Sequence, residues 1–334
     1  MVLGFVDASR RFRARCLVGA AIALAAMFAA LPSAPAQDYP SRPVKIIVPF
    51  PAGGTADVMP RIFAEWLSRK WGQPVIVENR TGAAGNIGAE AAFKSEPDGY
   101  TLLSAPPPPL VINHNLYPKL GFDPTEFIPI IIMGRVPNAL VVNPKVAANT
   151  VAELIAYAKA NPGKLTSATQ GNGTTSHLTS ELFQLMAQVK VQHVPYRGSA
   201  PALTDLVAGS VDIMFDNLGV SLALVKAGQL KLLAVATPKR MASLPDVPTM
   251  AETLPGFESA AWFAVVAPPK TSPAIVSKIN ADMNEALRQG EVMARLGQLS
   301  AEPIGGTPQA TAAYMREEII RWHNVVKSAG VKLE

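Results

Sequence analysis

Residues 48–58 read VPFPAGGTADV. A continuous apolar run, VKIIVPF at 44–50, leads into this stretch, and apolar residues at helical spacing follow it at 56–70. The pattern predicts a buried strand, a turn through two glycines, and a helix with Thr55 as its N-cap. Glycines at such a turn let another group approach the backbone closely. The turn is not followed by a lysine that could bind a phosphate.

The alternation of strand and helix continues outward from this turn. Further strands are predicted at 74–79 and 99–105, with a helix between them over 80–95. The same alternation then starts again, because short β-branched runs recur between amphipathic segments. The predicted strands of this second set are at 138–143, 164–171, 191–196, 211–217 and 231–237.

Two successive α/β sets predict two lobes, each a mostly parallel sheet flanked by helices. Strand-like passages near 135–140 and 258–264 join the two sets. We therefore expect one lobe at 37–136 plus 262–334, another at 137–261, and a cleft between them. Ligands of open α/β sheets bind beyond the carboxyl ends of the strands, and clefts between domains are favoured sites.

The N-terminal 36 residues have the order of a secretory signal peptide. A basic start precedes the apolar core LVGAAIALAAMFAAL at 17–31, and the small residues APA at 34–36 predict cleavage after Ala36 and export. Cleavage removes four arginines and one aspartate, which changes the net charge from +5 to about +2. A nearly neutral chain does not suit a nucleic-acid partner, and no later run is apolar enough to span a membrane.

The chain has few groups suited to covalent or metal chemistry. The single cysteine, Cys16, lies in the segment predicted to be removed, so the mature chain lacks disulfides and thiolate ligands. We expect no metal, no cofactor and no catalytic residue, because the histidines have no metal-ligand spacing and no nucleophile elbow occurs. The alternative is a periplasmic enzyme that acts on a small carboxylate with His177 and Asp57 as acid and base. The histidines are His114, His177, His193 and His323.

A second turn repeats the design of the first one. Residues 169–177 read TQGNGTTSH, with small residues between a predicted strand and a predicted helix. A helix start presents unpaired N–H groups and a positive dipole end, so two such turns from opposite lobes could hold one anion. The alternative is that both are simply tight turns. Asp57 either complements the helix dipole or orients the loop and the ligand, and Asp216 either caps a turn or meets an amino or hydroxyl group.

Several stretches carry a resemblance to a known family. The chain resembles the Bug-type solute-binding proteins of tripartite tricarboxylate transporters, over nearly all of the predicted mature sequence. The stretches that carry it are VPFPAGGTADVMPR (48–61), VIVENRTGAAGNIGAE (75–90), PDGYTLL (97–103), GNGTTSHL (171–178), HVPYRGSAPALTDLVAGSVDIMFD (193–216), LPDVPTMAE (244–252) and RW (321–322).

The resemblance implies a periplasmic, two-lobed binding protein of the Venus-flytrap, type II-like class, and not an enzyme. Such a protein closes over a small organic carboxylate and serves the membrane subunits of a tripartite transporter, or a sensor ectodomain, as a monomer. The resemblance also implies that the two turns hold one carboxylate. The implied residues are Phe50, Ala52, Gly53, Gly54, Thr55 and Asp57 in the first lobe, and Thr169, Gly171, Gly173, Thr174 and His177 in the second.

The sequence departs from the family pattern at two places that bear on specificity. After Ser104, residues 105–109 read APPPP where small polar residues are usual, and Pro106 begins a wall that lacks N–H donors. Gln170 adds an amide to the second turn. With Asp216, these residues complete the predicted site. We expect a ligand whose distal end is less polar than citrate, namely an aromatic or aliphatic mono- or dicarboxylate.

Overall fold

The computed structural model describes residues 39–329, so the predicted signal peptide at 1–36 lies outside the described residues. The described residues from Pro40 onward fall in one compact unit. The strands are β1 (Val44–Val48), β2 (Val75–Asn79), β3 (Thr101–Ala105), β4 (Ile128–Val142), β5 (Thr166–Thr169), β6 (Gln192–Pro195), β7 (Ile213–Asn217), β8 (Lys231–Val235), β9 (Ala260–Ala267) and β10 (Glu302–Gly305). The helices are α1 (Thr55–Trp71), α2 (Asn86–Phe93), α3 (Val151–Ala160), α4 (Thr175–Ala187), α5 (Ser199–Ala208), α6 (Leu218–Lys226), α7 (Pro273–Ala286), α8 (Gly290–Gln298) and α9 (Pro308–Ala329).

The first sheet has the strand order β2-β1-β3-β9-β4, and β10 pairs with the outer edge of β4. Strands β1, β2 and β3 are parallel, while β9 runs antiparallel to both β3 and β4. Four of the five residues of β1 are buried, because helices cover both faces of a parallel sheet.

The second sheet has the order β4-β7-β5-β6, and β8 pairs with the other edge of β4. Strand β4 belongs to both sheets: Pro137 pairs with Ala260 in the first, and Asn138 pairs with Asn217 in the second. The change of sheet therefore falls within the predicted crossing at 135–140. The proposed lobe boundaries at 37–136 plus 262–334 and at 137–261 stay a prediction.

The α/β class is confirmed, but both sheets are mixed rather than mostly parallel. Strands β1, β2 and β3 of the first sheet and β5, β6 and β7 of the second obey the predicted parallel pairing. The strands that carry the chain between the sheets, β4 and β9, run antiparallel to their neighbours because the chain crosses once in each direction. The antiparallel pairs thus arise from the two-lobed topology itself.

Four strand–helix connections bring helix starts to one side of the molecule. The chain passes from β1 to α1, from β5 to α4, from β6 to α5, and from β7 directly into α6. The carboxyl ends of neighbouring parallel strands share one edge of a sheet, so the helix starts that follow them gather there. Within residues 39–329 no helix combines the length and the apolar composition that a bilayer crossing requires.

Candidate ligand-binding site

A narrow cavity lies where these helix starts meet, and we call it the interlobe cavity. It holds about 400 Å³ of empty space, part of it open to solvent, but only about 20 Å³ is wide enough for the centre of a water molecule. Six residues predicted for the site line it: Phe50, Gly54, Thr55, Pro106, Gln170 and Thr174. The side chains from the two lobes therefore approach each other closely.

The four helix starts give the cavity its electrostatic character. Residues at the starts of α1, α4, α5 and α6 line it, and no charged side chain among residues 39–329 does. Among the described residues no side chain caps helices α1, α5 and α6, so their first N–H groups are not occupied by a capping side chain. Four positive dipole ends that converge on an uncharged cavity form an environment for an anion.

Thr55 does not cap α1, contrary to the prediction. The N-cap is Gly54, and the helix starts at Thr55 itself. The Thr55 side chain is 1% exposed, and its Oγ1 has no hydrogen-bond partner among the described residues. A buried hydroxyl without a partner costs free energy, so this atom on the cavity wall is suited to a bound polar group.

Asp57 holds the first turn in place. Its Oδ2 accepts a hydrogen bond from the Gly53 N–H at 3.1 Å, and its Oδ1 accepts from Arg61 Nε at 2.9 Å and Asn79 Nδ2 at 2.8 Å. Burial would raise the pKa of Asp57, but these hydrogen bonds outweigh it and hold the pKa below the ordinary value. Asp57 does not line the cavity, so it orients the loop rather than contacting a ligand.

His177 holds the second turn in the same way. The Gly173 N–H donates to His177 Nδ1 at 3.1 Å, four residues ahead, as Gly53 does to Asp57. The hydroxyl of Thr174 caps α4 by accepting from the His177 N–H. Both side chains are thus engaged by their own loops, and His177 does not line the cavity either.

The fold brings together two histidines that the sequence spacing leaves apart. The ligand atoms of His177, Glu181 and His193 lie within 4.8 Å of one another, and the two imidazoles lower the pKa of the Glu181 carboxyl to about 2. By proximity alone the three could hold a metal. The Gly173 N–H occupies the Nδ1 lone pair, however, so the proton of the neutral His177 ring is on Nε2, where a metal would bind. The absence of a metal site stays a prediction.

Asp216 lies behind the cavity wall rather than on it. Its Oδ1 accepts from Gln170 Nε2 at 2.7 Å and from Ser199 Oγ at 2.8 Å, and both donors line the cavity. Its Oδ2 has no partner within the described region. The side chain is fully buried, and this burial raises the pKa of Asp216 to about 6 although the neighbouring donors oppose the rise.

The remaining predicted residues lie around the cavity without lining it. Ser104 and Thr169 are buried in their strands, and Ser104 Oγ has no partner among the residues described. Ala52 is exposed beside the first turn, and Gly171 lines a neighbouring, wider cleft. Among the lining residues that the sequence reasoning missed are Gly198, Ser199, Asn217, Ala261 and Phe263. Gly198 precedes a helix, as the glycines of the two predicted turns do, so the sequence contained a pattern that could have predicted it. No local sequence pattern indicates that Phe263 lines the cavity.

The loops of the two lobes touch across the cavity. A Cβ built on Gly54 would lie 3.7 Å from Ser199 Cβ, and one built on Gly53 would lie 3.8 Å from Ala200 Cβ. A Cβ on Gly198 would lie only 3.0 Å from Pro51 Cδ. The glycines thus allow the backbones to meet, and this is the close approach that the sequence of the first turn predicts.

Two α/β lobes with an uncharged cavity at four helix starts define a two-lobed solute-binding protein. Comparison with known proteins gives its family. The pattern of the "Tripartite tricarboxylate transporter family receptor" matches residues 59–331. Protein BugT of Bordetella pertussis is 41% identical over 302 residues, which cover 90% of this chain and 93% of that relative. The chain belongs to this receptor family, so the predicted relationship to Bug-type proteins is confirmed.

Solved structures agree with this assignment. R. palustris Rpa4515 with adipate has a TM-score of 0.86 and 41% identity, and the match covers 89% of this chain and all of that one (100%). MatC from Rhodopseudomonas palustris with bound malate has a TM-score of 0.82 and 33% identity, with coverage of 86% and 100%. The family and these neighbours are solute-binding proteins and not enzymes. The enzyme alternative built on His177 and Asp57 is therefore set aside.

Proposed function

We propose that this protein is a periplasmic receptor that captures a small organic acid in the interlobe cavity. One observation carries the proposal: four helix starts converge on a cavity that no charged side chain of the described residues lines, beside the Thr55 hydroxyl, which is buried and has no partner among them. Helix N-termini bind anions through backbone N–H groups and the dipole, so no arginine is required at this point.

The energetics favour binding in a closed cleft. Each helix start contributes about 0.3–1 kcal/mol toward an anion at the surface and up to about 2 kcal/mol where the site is partly buried. Closure excludes water and lowers the local dielectric, which strengthens these contributions. Only about 20 Å³ of the cavity is wide enough for the centre of a water molecule, so the lobes must separate before an organic acid can bind.

The cavity wall indicates the class of ligand. Pro106 and Pro108 offer no N–H donor, and the rings of Phe50 and Phe263 add apolar surface. The related proteins solved with adipate and malate bind small aliphatic dicarboxylates. We infer an aliphatic or aromatic mono- or dicarboxylate whose distal end is less polar than citrate.

The wider role follows from the family. The protein acts in the periplasm after cleavage behind Ala36, and its lobes at 37–136 plus 262–334 and at 137–261 close over the ligand. The closed form binds the membrane subunits of a tripartite transporter, or a sensor ectodomain, as a monomer. Closure favours this docking because the ligand has a higher affinity for the closed form than for the open one.

The test is calorimetric titration of the purified mature protein with adipate, malate, benzoate and citrate. We expect adipate or benzoate to bind more tightly than citrate. Gly54→Val should weaken binding of the preferred acid at least tenfold, because the added methyl groups meet Ser199 across the cavity. Gly54 is a better position for this substitution than Gly173. The φ of Gly54 is −85°, which a valine can adopt, whereas the φ of Gly173 is +80°, at which a valine would strain the backbone itself.

The matched control is Gly290→Val. Gly290 also stands at a helix start, that of α8, and nothing lies within 4 Å of a Cβ built on it. We expect its affinity to equal that of the wild type. Equal affinities for Gly54→Val and Gly290→Val would place the ligand elsewhere, and tight binding of citrate with none of the other acids would overturn the inferred ligand class.

A further inference from the structure

A second, wider cleft opens directly beside the interlobe cavity, and we call it the outer cleft. About 520 Å³ of it is wide enough for the centre of a water molecule, against about 20 Å³ in the cavity. Three residues line both spaces: Phe50, Pro51 and Gln170. A ligand held at the helix starts can therefore extend past these three residues into the outer cleft.

Within the described part of the chain, one charged side chain lines this combined space, and it is Arg197. Its side chain is exposed, and none of the ion pairs or hydrogen bonds found among residues 39–329 involves it. Asp205, the acid of the helix that follows, accepts a hydrogen bond from the Tyr196 hydroxyl at 2.7 Å instead. A guanidinium with five donors is thus left available on the wall of the cleft.

The backbone around Arg197 is held between the two predicted turns. The next residue, Gly198, packs against Pro51 of the first lobe, where a Cβ would come within 3.0 Å of the proline ring. On the other side, a Cβ on Gly171 would lie 3.2 Å from the Tyr196 carbonyl oxygen. Arg197 therefore projects from a segment that is anchored in the closed cleft, although its own side chain is free.

This juxtaposition separates two anion subsites. The inner one, at the helix starts, has no charged side chain and suits one carboxylate. The outer one offers a guanidinium, whose planar fork matches a carboxylate. Resting on the proposed function, we propose that Arg197 is a specificity-determining residue that binds the second acid group of an elongated dianion. The ligand class narrows to dicarboxylates long enough to pass Phe50 and Gln170, and monocarboxylates bind less tightly.

The experiment compares pairs of acids that have the same carbon chain but differ by one negative charge. The purified mature protein is titrated calorimetrically with the unbranched dicarboxylates of four to eight carbons and with their monomethyl esters. In the wild type, the best diacid should bind at least fivefold more tightly than its ester. Arg197→Gln should lower the affinity for the diacid three- to tenfold and leave that for the ester within twofold, because the ester presents no second charge.

Two further variants separate charge at this position from charge in general. Arg288→Gln removes an exposed arginine that lines neither space, and should retain the wild-type preference. Arg197→Lys keeps the charge without the fork and should fall between Arg197→Gln and the wild type. The diacid affinity of the wild type should also fall more steeply with added NaCl than that of Arg197→Gln.

The outcomes separate this inference from the proposed function. One outcome is that the diacids and the esters both bind to the wild type while Arg197→Gln lowers the two affinities equally or changes neither of them. In that case the proposed role of Arg197 is wrong, but the proposal of a carboxylate receptor is unaffected. An equal effect of Arg288→Gln would likewise overturn it. If neither diacids nor esters bind at any length, the receptor proposal fails, and the inference that rests on it fails with it.

Discussion

At the residue scale, both turns of the cavity are held by a side chain of the helix that follows. The acceptor is a carboxylate in the first lobe, Asp57, and an imidazole nitrogen in the second, His177. Each accepts from the glycine N–H four residues earlier, at 3.1 Å in both cases. The hydrogen bond fixes the turn from which each helix starts.

Asp216 gives a pH-dependent prediction. Burial raises its pKa from 3.8 to about 6, so the folded state binds this proton more tightly than the unfolded state does. The stabilising contribution is therefore complete below about pH 4 and is lost as the pH rises through about 6. A rise of this size corresponds to about 3 kcal/mol in the free energy of unfolding.

The measurement is urea denaturation of the wild type and Asp216→Asn between pH 4 and pH 8. Asparagine cannot titrate, yet its Oδ1 still accepts from Gln170 and Ser199. The free energy of unfolding of the wild type minus that of the variant should fall by about 2–3 kcal/mol over this range. A difference that stays constant with pH would show that Asp216 is ionised throughout.

The sequence predicts residues at the turns better than residues brought in from a distance. Gly54, Thr55 and Thr174 line the cavity as glycine-rich helix starts should. Ala261 and Phe263 lie on a strand more than 200 residues from the first turn, and no local pattern indicates that β9 passes the cavity. The sequence also did not predict which groups Asp57 and His177 bind. The same residue at the same position can bind either a ligand or the backbone of its own loop.

At the element scale, β4 is the part of the fold that the sequence predicts least well. The prediction covers residues 138–143, whereas the strand runs over Ile128–Val142, with Pro129 and Pro137 inside it. Prolines usually argue against a central strand, because they cannot donate to the ladder. Here the pairing with β9 shifts register between Pro129 and Ile131. The strand is long because it pairs with partner strands in two sheets, and its own sequence does not predict these pairings.

The C-terminal helix α9 is attached to the first lobe through a buried carboxylate. Glu318 is 5% exposed, and its Oε2 accepts from the indole N–H groups of Trp262 at 2.8 Å and Trp322 at 2.9 Å. Arg321 donates to Oε1 at 3.0 Å. The dipeptide RW at 321–322, which carries part of the family resemblance, thus supplies two of the three donors that satisfy this acid.

Glu318→Ala should destabilise the fold. The change leaves two buried indole N–H groups without an acceptor, and we expect the free energy of unfolding to fall by about 2–4 kcal/mol. The measurement is urea denaturation followed by tryptophan fluorescence. Glu317→Ala is the matched control, since Glu317 is exposed on the same helix and should change stability by less than about 0.5 kcal/mol. Equal losses for the two variants would contradict the anchoring role.

At the scale of the whole molecule, the proposed function requires the separation of two lobes that are in contact in this structure. The restart of the strand–helix alternation predicts two lobes from the sequence, because each set needs its own sheet and core. The width of the cleft could not be predicted, since it depends on contacts such as those between Gly53 and Ala200 across the lobes. Under the proposed function, ligand exchange requires these contacts to break.

A reversible cross-link tests this requirement. Cβ atoms at positions 53 and 200 lie 3.8 Å apart, which matches the usual separation of about 3.8 Å in disulfides. Neither residue lines the interlobe cavity, and the proposed cleavage after Ala36 would remove the one native cysteine, Cys16. We therefore expect Gly53→Cys with Ala200→Cys to form a disulfide that holds the lobes together.

Oxidation before the addition of a radiolabelled acid that the wild type binds should abolish uptake into the cavity. Oxidation after binding should retain the label through dialysis until a reductant releases it. The reduced double variant is the control for the cysteine side chains, and Gly53→Cys alone reports the strain of about 1–2 kcal/mol expected at a φ of +88°. Rapid exchange of the label in the oxidised protein, with the disulfide verified by mass spectrometry, would show that the acid reaches its site without separation of the lobes.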